Sequence, residues 1–244
     1  MAETAVEPVF AVRDVRHRYR TPSGEVTALA RVDIDVPPGR LTVLAGPSGS
    51  GKSTLLRLLG MIERPTAGRV QHRGRQTARC SERQRRALRR RIQLIVQDPV
   101  HNLIGYLDVA ENLQTAAQLA GAPPPDLGML ERLGLPGTAR WAVPALSGGQ
   151  QQRLALLTAL AAGAEVVLAD EPTSQLDEDS AELVVRTLCD LVDLGVTVVA
   201  ASHDEAVLSV ADHLVRLLDG VIVKGGAVVE GGAAVDRMEV EEQW

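Results

Sequence analysis

Aromatic side chains are nearly absent from this chain, whose 244 residues include two tryptophans, two tyrosines and one phenylalanine. None interleaves with the arginines that recur from Arg69 to Arg91. That run therefore reads as a solvated helix face rather than a stacking platform for a polyanion. A basic excess is missing too: the net charge is −5 and the pI about 5.6, which argues against a global footprint for nucleic acid. Cysteine is limited to Cys80 and Cys189, in neither a Cys-x-x-Cys nor a metal-ligand spacing. A disulfide framework is excluded and a reducing compartment expected. No run reaches the roughly 18 uninterrupted apolar residues of a membrane span, and the short, acidic, proline-broken start does not read as a secretory segment. The length fits one α/β domain, 1–244, with a helical lobe.

The pattern along the chain supports that class. Val9–Tyr19 and Val26–Val36 read as strands around the turn Thr21–Gly24, giving an antiparallel β layer. Leu41–Ala45 is a buried strand, and Thr54–Gly60 a helix whose Leu55, Leu56, Leu58 and Leu59 pack on a sheet. Ser81–Arg91 is helix-like, and Ile92–Val96 is a strand that delivers Gln97 at its C-terminal end. From about 98 to 162 the reading is a helical lobe, with helices at Asp108–Ala120, Leu127–Leu133 and Gln151–Ala162 around the break Pro123–Pro125. Strands at Val166–Ala169 and Val196–Ala201 flank a helix, Asp179–Leu194, with an apolar stripe of Leu183, Val184, Leu188 and Leu191. Asp219-Gly220 marks a hairpin, and the acidic, Gly-rich stretch 225–244 reads as a mobile tail.

The chemistry begins at Gly46-Pro47-Ser48-Gly49-Ser50-Gly51-Lys52-Ser53, followed by Thr54. Gly-x-x-x-x-Gly-Lys-Ser after a strand is a phosphate-binding loop. Its backbone N–H groups curl around a triphosphate, Lys52 offers a point charge to the β and γ phosphates, and the Ser53 hydroxyl ligates magnesium. Asp170, ending the strand Val166–Ala169, is a carboxylate suited to the same ion, and Glu171 follows it directly. In Leu146-Ser147-Gly148-Gly149-Gln150, Ser147 can cap a helix beginning near Gly149. The glycines permit close backbone approach, so the positive end of the helix faces an anion.

Together these segments resemble the ABC (ATP-binding cassette) ATPases, from Val9 to about Val223. The resemblance implies a P-loop NTPase core with an antiparallel β layer and a helical lobe, with ATP and Mg2+ as cofactors. Val166–Glu171 resembles the Walker B segment, so Glu171 is expected to polarise the attacking water, and Asp170, Ser53 and Gln97 to attend the metal. Gln97 resembles the Q-loop glutamine and His203 the switch histidine on the γ phosphate, while Tyr19 resembles the aromatic that stacks on adenine. Ser147, Gly148, Gly149, Gln150 and the D-loop residue Asp177 are expected to act in trans on the nucleotide of a second cassette, most simply in a homodimer. Trp141 reads as packing beneath the signature loop, and His17, His72, His101 and His213 as structural. Pro47–Leu56 and Ala169–Thr173 are most similar to the bacterial lipoprotein-release and macrolide-export group. Two departures stand out: Leu157-Thr158 where an arginine is usual, and Asp98-Pro99 after Gln97.

The expectation is an ATP-hydrolysing subunit, peripheral on the cytoplasmic face of the membrane, serving a separate integral membrane permease and binding no nucleic acid. Alternatives are a mechanotransmitting cassette and a soluble assembly-type ATPase that moves no substrate. A P-loop kinase is disfavoured, since it has no use for the signature loop or the switch histidine.

Overall fold

Three apolar runs set the architecture. β3 (Leu41–Ala45), β7 (Val166–Asp170) and β8 (Thr197–Ser202) are buried almost throughout. Continuous apolar strands of this kind form parallel sheets covered on both faces. The computed structural model describes residues 7–223, and the stretch expected to be a mobile tail lies outside them. β8 lies between β3 and β7, parallel to both; β6 (Ile92–Ile95) continues beside β7 and β9 (His213–Leu218) beside β3, again in parallel. A second group is antiparallel: β1 (Phe10–Thr21) pairs with β2 (Gly24–Val36) and β4 (Ala67–His72), and β4 with the short β5 (Arg75–Gln76). β10 (Val221–Val223) closes the Asp219-Gly220 hairpin with β9 and touches β2 through Val221 and Arg31, so the described strands form one ten-stranded sheet.

Alternate residues of the central strands divide between two cores, as the pleat requires. Val43, Val167, Ala169, Val198 and Ala200 face one that includes residues of α3 (Val109–Ala120), α4 (Met129–Arg132), α5 (Gly148–Ala161) and α6 (Glu178–Asp193). Leu44, Val166, Leu168, Val199 and Ala201 face the other, filled by Leu55, Leu56, Leu58 and Leu59 of α1 (Lys52–Leu59) and by Phe10, Val12 and Leu29 of the antiparallel layer. Between β6 and β7 the described chain carries helices and short helical turns, with one isolated bridge, Asp108 to Ala142. A last helix, α7 (Glu205–Ser209), follows β8.

The structure corrects the reading of the sequence in four places. β4, β5 and α7 had no signal; β4 holds its place by pairing with β1, a long-range interaction. Leu183 does not belong to the buried stripe of α6 and is 40 % exposed, while Val184, Leu188 and Leu191 are buried. The arginine run is not one solvated helix face, because Arg69 lies on β4, Arg75 on β5, and Arg85 of α2 (Glu82–Arg89) is buried. The Arg85 guanidinium donates to the carbonyls of Met61 and Glu63, which hold it inside. Trp141 does not pack beneath the signature loop: its side chain is 47 % exposed, while its carbonyl accepts from Val109 N–H at the start of α3.

Candidate functional site

The phosphate-binding loop is tied to the sheet from two sides. Gly46 has φ +150 and Gly51 φ +105, and a Cβ on Gly46 would meet the Leu217 carbonyl at 2.1 Å, one on Gly51 the Ala28 carbonyl at 2.6 Å. Larger residues are excluded by β9 and β2 as well as by backbone conformation. Gly220 N–H donates to Ser50 O at 3.1 Å, which pins the loop to the β9–β10 hairpin. The Ser50 hydroxyl is buried without a partner. Helices α2, α3, α5, α6 and α7 begin with a side-chain cap from Ser81, Asp108, Ser147, Asp177 and Asp204 respectively. α1 begins at Gly51 with none, so the first-turn N–H groups of α1 receive nothing from a side chain there.

Strand register gathers the rest at the C-terminal edge of the sheet. Ala45 is level with Ser202, and Asp170 with Ala201, so Gly46, Glu171 and His203 emerge side by side. Ser53 Oγ donates to Asp170 Oδ1 at 2.8 Å. Lys52, 5 % exposed, donates to Gly46 O at 2.7 Å and Pro47 O at 3.1 Å, and its Nζ lies 3.2 Å from Glu171 Oε1. The other oxygen of Glu171 is 2.9 Å from His203 Nδ1, so one carboxylate bridges the loop lysine and the histidine. Glu171 reaches this place with φ +47, a conformation costly for a residue with a Cβ. Burial raises the Asp170 pKa above the usual carboxylate value, opposed by the Ser53 hydrogen bond.

Magnesium fits this donor set. It prefers oxygen ligands, keeps waters and takes one or two carboxylates together with substrate phosphates. Ser53 and Asp170 offer two adjacent oxygens of that kind. No cage of three or more His, Cys, Asp or Glu occurs among the described residues. Gln97 is not drawn in: it is exposed beyond the end of β6, beside the strand that carries Asp170, and its amide makes no hydrogen bond to Ser53, Asp170 or Glu171. Tyr19 stands apart from the loop's main chain; its hydroxyl donates to Glu63 Oε2 at 2.8 Å and lies 3.4 Å from Thr54 Oγ1.

Ser147 caps α5 from its first residue, Gly148, one earlier than expected. Ser147 Oγ accepts from Gln150 N–H at 3.3 Å while Gln150 Oε1 accepts from Ser147 N–H at 2.9 Å, a reciprocal capping box. Gly149 has a packing duty: a Cβ there would stand 2.8 Å from Ser180 Cβ on α6. Ser180 in turn donates to Asp177 from both its N–H and its hydroxyl, at 2.9 Å each, and these bonds lower the Asp177 pKa. Asp177 and the signature residues thus form one patch. The departure Leu157-Thr158 is buried in α5, where Thr158 Oγ1 donates to Ala155 O at 2.7 Å, and Asp98 caps the short turn Pro99–Asn102. Of the histidines read as structural, His17 and His72 are buried, His101 is exposed and His213 half-buried. Burial and neighbouring Arg73 push the His72 pKa down to about 4, so it is neutral at pH 7.

Residues 29–174 match the family profile of ABC transporters. The chain belongs to the ABC transporter family. It is 38 % identical over 223 residues to the macrolide export ATP-binding/permease protein MacB of Agrobacterium fabrum, covering 89 % of this chain and 34 % of that protein. A protein of the same name from Rhodopseudomonas palustris is 38 % identical over 233 residues, with 93 % and 35 % covered. The chain thus spans about a third of the length of the curated relatives it matches. Among solved structures, the dimeric post-hydrolysis state of the ATP-binding cassette MJ0796 bound to ADP and Pi superposes with a TM-score of 0.77 at 29 % identity, covering 91 % of this chain and all of that one. CbiO1 of Clostridium perfringens, part of the transporter complex cbiONQ, gives 0.79 at 25 % identity over 90 % and 88 % of the two chains. The pairings of Lys52 with Glu171 and of Gly149 with Ser180 had no local signal in the sequence.

Proposed function

We propose that this chain is the ATP-binding and ATP-hydrolysing part of an ABC transporter, working as a pair of cassettes and driving a membrane permease from the cytoplasmic face. The observation that carries the reading is the bridge Lys52–Glu171–His203 beside Ser53–Asp170, at the mouth of a loop shaped for phosphates. When a triphosphate enters, its oxygens replace the Gly46, Pro47 and Glu171 oxygens around the Lys52 ammonium. Glu171, released on that side, keeps His203 on its other oxygen and accepts a proton from the water that attacks the γ phosphorus. The bond from that phosphorus to the bridging oxygen breaks, leaving ADP and inorganic phosphate. Ser53 and Asp170 would hold magnesium, which would supply charge neutralisation to the phosphates. Most of the acceleration in phosphoryl transfer comes from positioning and charge of this kind.

The patch formed by Ser147, Gly148, Gly149 and Asp177 supports the pairing, because it offers a capped helix start whose box bonds an incoming phosphate can replace. No helix among the described residues is long and apolar enough to cross a membrane. The MJ0796 dimer and the macrolide-export relatives support the same reading by likeness. Mixing Lys52→Ala with Ser147→Arg subunits tests it. Each mutant alone is expected to be inactive, and the mixture to recover turnover from dimers that hold one intact composite site. Turnover in the mixture equal to the sum of the separate mutants counts against sites shared between two chains.

A further inference from the structure

The turn after α1 is built more firmly than a surface turn needs. Met61 is buried with φ +56, and its carbonyl receives guanidinium hydrogen bonds from Arg85 and, at 3.1 Å, from Arg89. Glu63 N–H donates to Arg57 O at 3.3 Å and Glu63 O accepts from Arg85 at 3.3 Å, so the backbone of Glu63 is fixed from both sides. Its carboxylate, 26 % exposed, points at β1. One oxygen, Oε2, accepts the Tyr19 hydroxyl at 2.8 Å and lies 3.1 Å from His17 Nε2; the other is 3.7 Å from Arg57. The buried His17 ring meets the Tyr19 ring edge-on, with centroids 4.7 Å apart and planes at 80°. Tyr19 is therefore held at its hydroxyl by Glu63 and along its ring by His17, within 3.4 Å of Thr54, which follows Lys52-Ser53 in the loop helix.

We propose that Glu63, braced by Arg85, is the positioning residue that sets the Tyr19 ring as the base-side wall of the nucleotide site. This inference rests on the functional reading above, in which the phosphates occupy the loop from Gly46 to Ser53. A ring already fixed by two partners loses little conformational freedom when a purine stacks on it, and that saving appears as affinity. Glu63 meets α1 only at Arg57, beyond the residues of the phosphate loop, so its effect is expected on the base more than on the phosphates.

Calorimetry with ATP and with inorganic tripolyphosphate, both with magnesium and on the Glu171→Gln background, separates these terms. Glu63→Ala is expected to weaken ATP binding about three- to tenfold, the ordering cost of one side chain, and to change tripolyphosphate binding by less than about twofold. Glu63→Gln keeps an acceptor for the Tyr19 hydroxyl and is expected to restore most of the loss. Tyr19→Phe keeps the ring but not the tether, so it should match Glu63→Ala, and the double mutant should be no worse than either. Equal weakening of ATP and tripolyphosphate, additive losses in the double mutant, or tighter ATP binding by Glu63→Ala each overturn the tether. A parent protein that binds no ATP at all defeats the functional reading instead, and a parent that binds ATP while Glu63→Ala changes nothing defeats the tether alone.

Discussion

Replacing Glu171 with Gln tests the resting state of the site as well as its catalysis. The substitution keeps the side chain's shape and the same strained backbone at φ +47, and it removes one negative charge. Among the described residues that charge is the only carboxylate within ion-pair distance of the Lys52 ammonium, which is 5 % exposed and otherwise faces the carbonyls of Gly46 and Pro47. Breaking a fully buried pair costs about 3–5 kcal/mol and an exposed one roughly 0–1. With Glu171 at 17 % exposed and a neutral amide oxygen still able to accept, the loss falls between, at about 2 kcal/mol. For a chain of this size that lowers the unfolding midpoint by roughly 4–8 °C. Differential scanning calorimetry of the ligand-free proteins reads it directly. A non-hydrolysable triphosphate with magnesium supplies Lys52 with new negative oxygens, so the gap between mutant and parent should close when it is added. Turnover should fall by roughly two to four orders of magnitude, the usual worth of a positioned base. A ligand-free midpoint equal to or above the parent's refutes the idea that Lys52 leans on Glu171 before nucleotide arrives.

Two further substitutions probe the neighbouring carboxylate and the signature helix. Asp170 has its pKa raised by burial, so ionising it costs the folded state more than the unfolded; stability is lost as pH rises from the ordinary carboxylate value through the raised one. Asp170→Asn should therefore raise the ligand-free unfolding midpoint at pH 7 while abolishing magnesium-dependent turnover, and the gain should vanish in acid; a gain independent of pH, seen in thermal scans from pH 3 to 8, contradicts the assignment. Gly149→Ala drives a methyl to 2.8 Å from Ser180 Cβ and should cost about 1–3 kcal/mol by overpacking, measured by urea denaturation. Ser180→Gly in the same chain should return part of that, and no return places the strain elsewhere.

Much of the site was legible because each of its motifs is local. The loop Gly46–Ser53 follows an apolar strand of five residues, and Asp170 ends another, so strand length and motif together fix where the chemistry emerges. The hairpin at Asp219-Gly220 and the helix starts near Ser81 and Asp108 belong to the same class of short-range signal. What the sequence did not disclose depends on partners far along the chain. Arg85 looks like any surface arginine until Met61 and Glu63 present their carbonyls to it. β4 contains three exposed residues, Arg69 among them, and only its pairing with β1 makes it a strand. Gly149 reads in sequence as room for close approach to an anion, and its second neighbour, Ser180 on α6, lies too far along the chain to be seen there. Trp141 reads in sequence as packing beneath the signature loop, but the backbone at that point is occupied with the start of α3 and the ring is left half exposed.

The missing cap at the start of α1 changes what an empty protein is. A side-chain cap is worth about 0.5–2 kcal/mol to a helix, and Gly51 brings none to the helix that carries Lys52, Ser53 and four buried leucines. Phosphate oxygens on those first-turn N–H groups complete the helix as well as bind to it. Nucleotide then serves as the last building block of the fold, adding about 2.7 kcal/mol of stability at a hundred times its dissociation constant. Copies without nucleotide are then expected to open the first turn of α1 more often and to be cut there sooner by a protease.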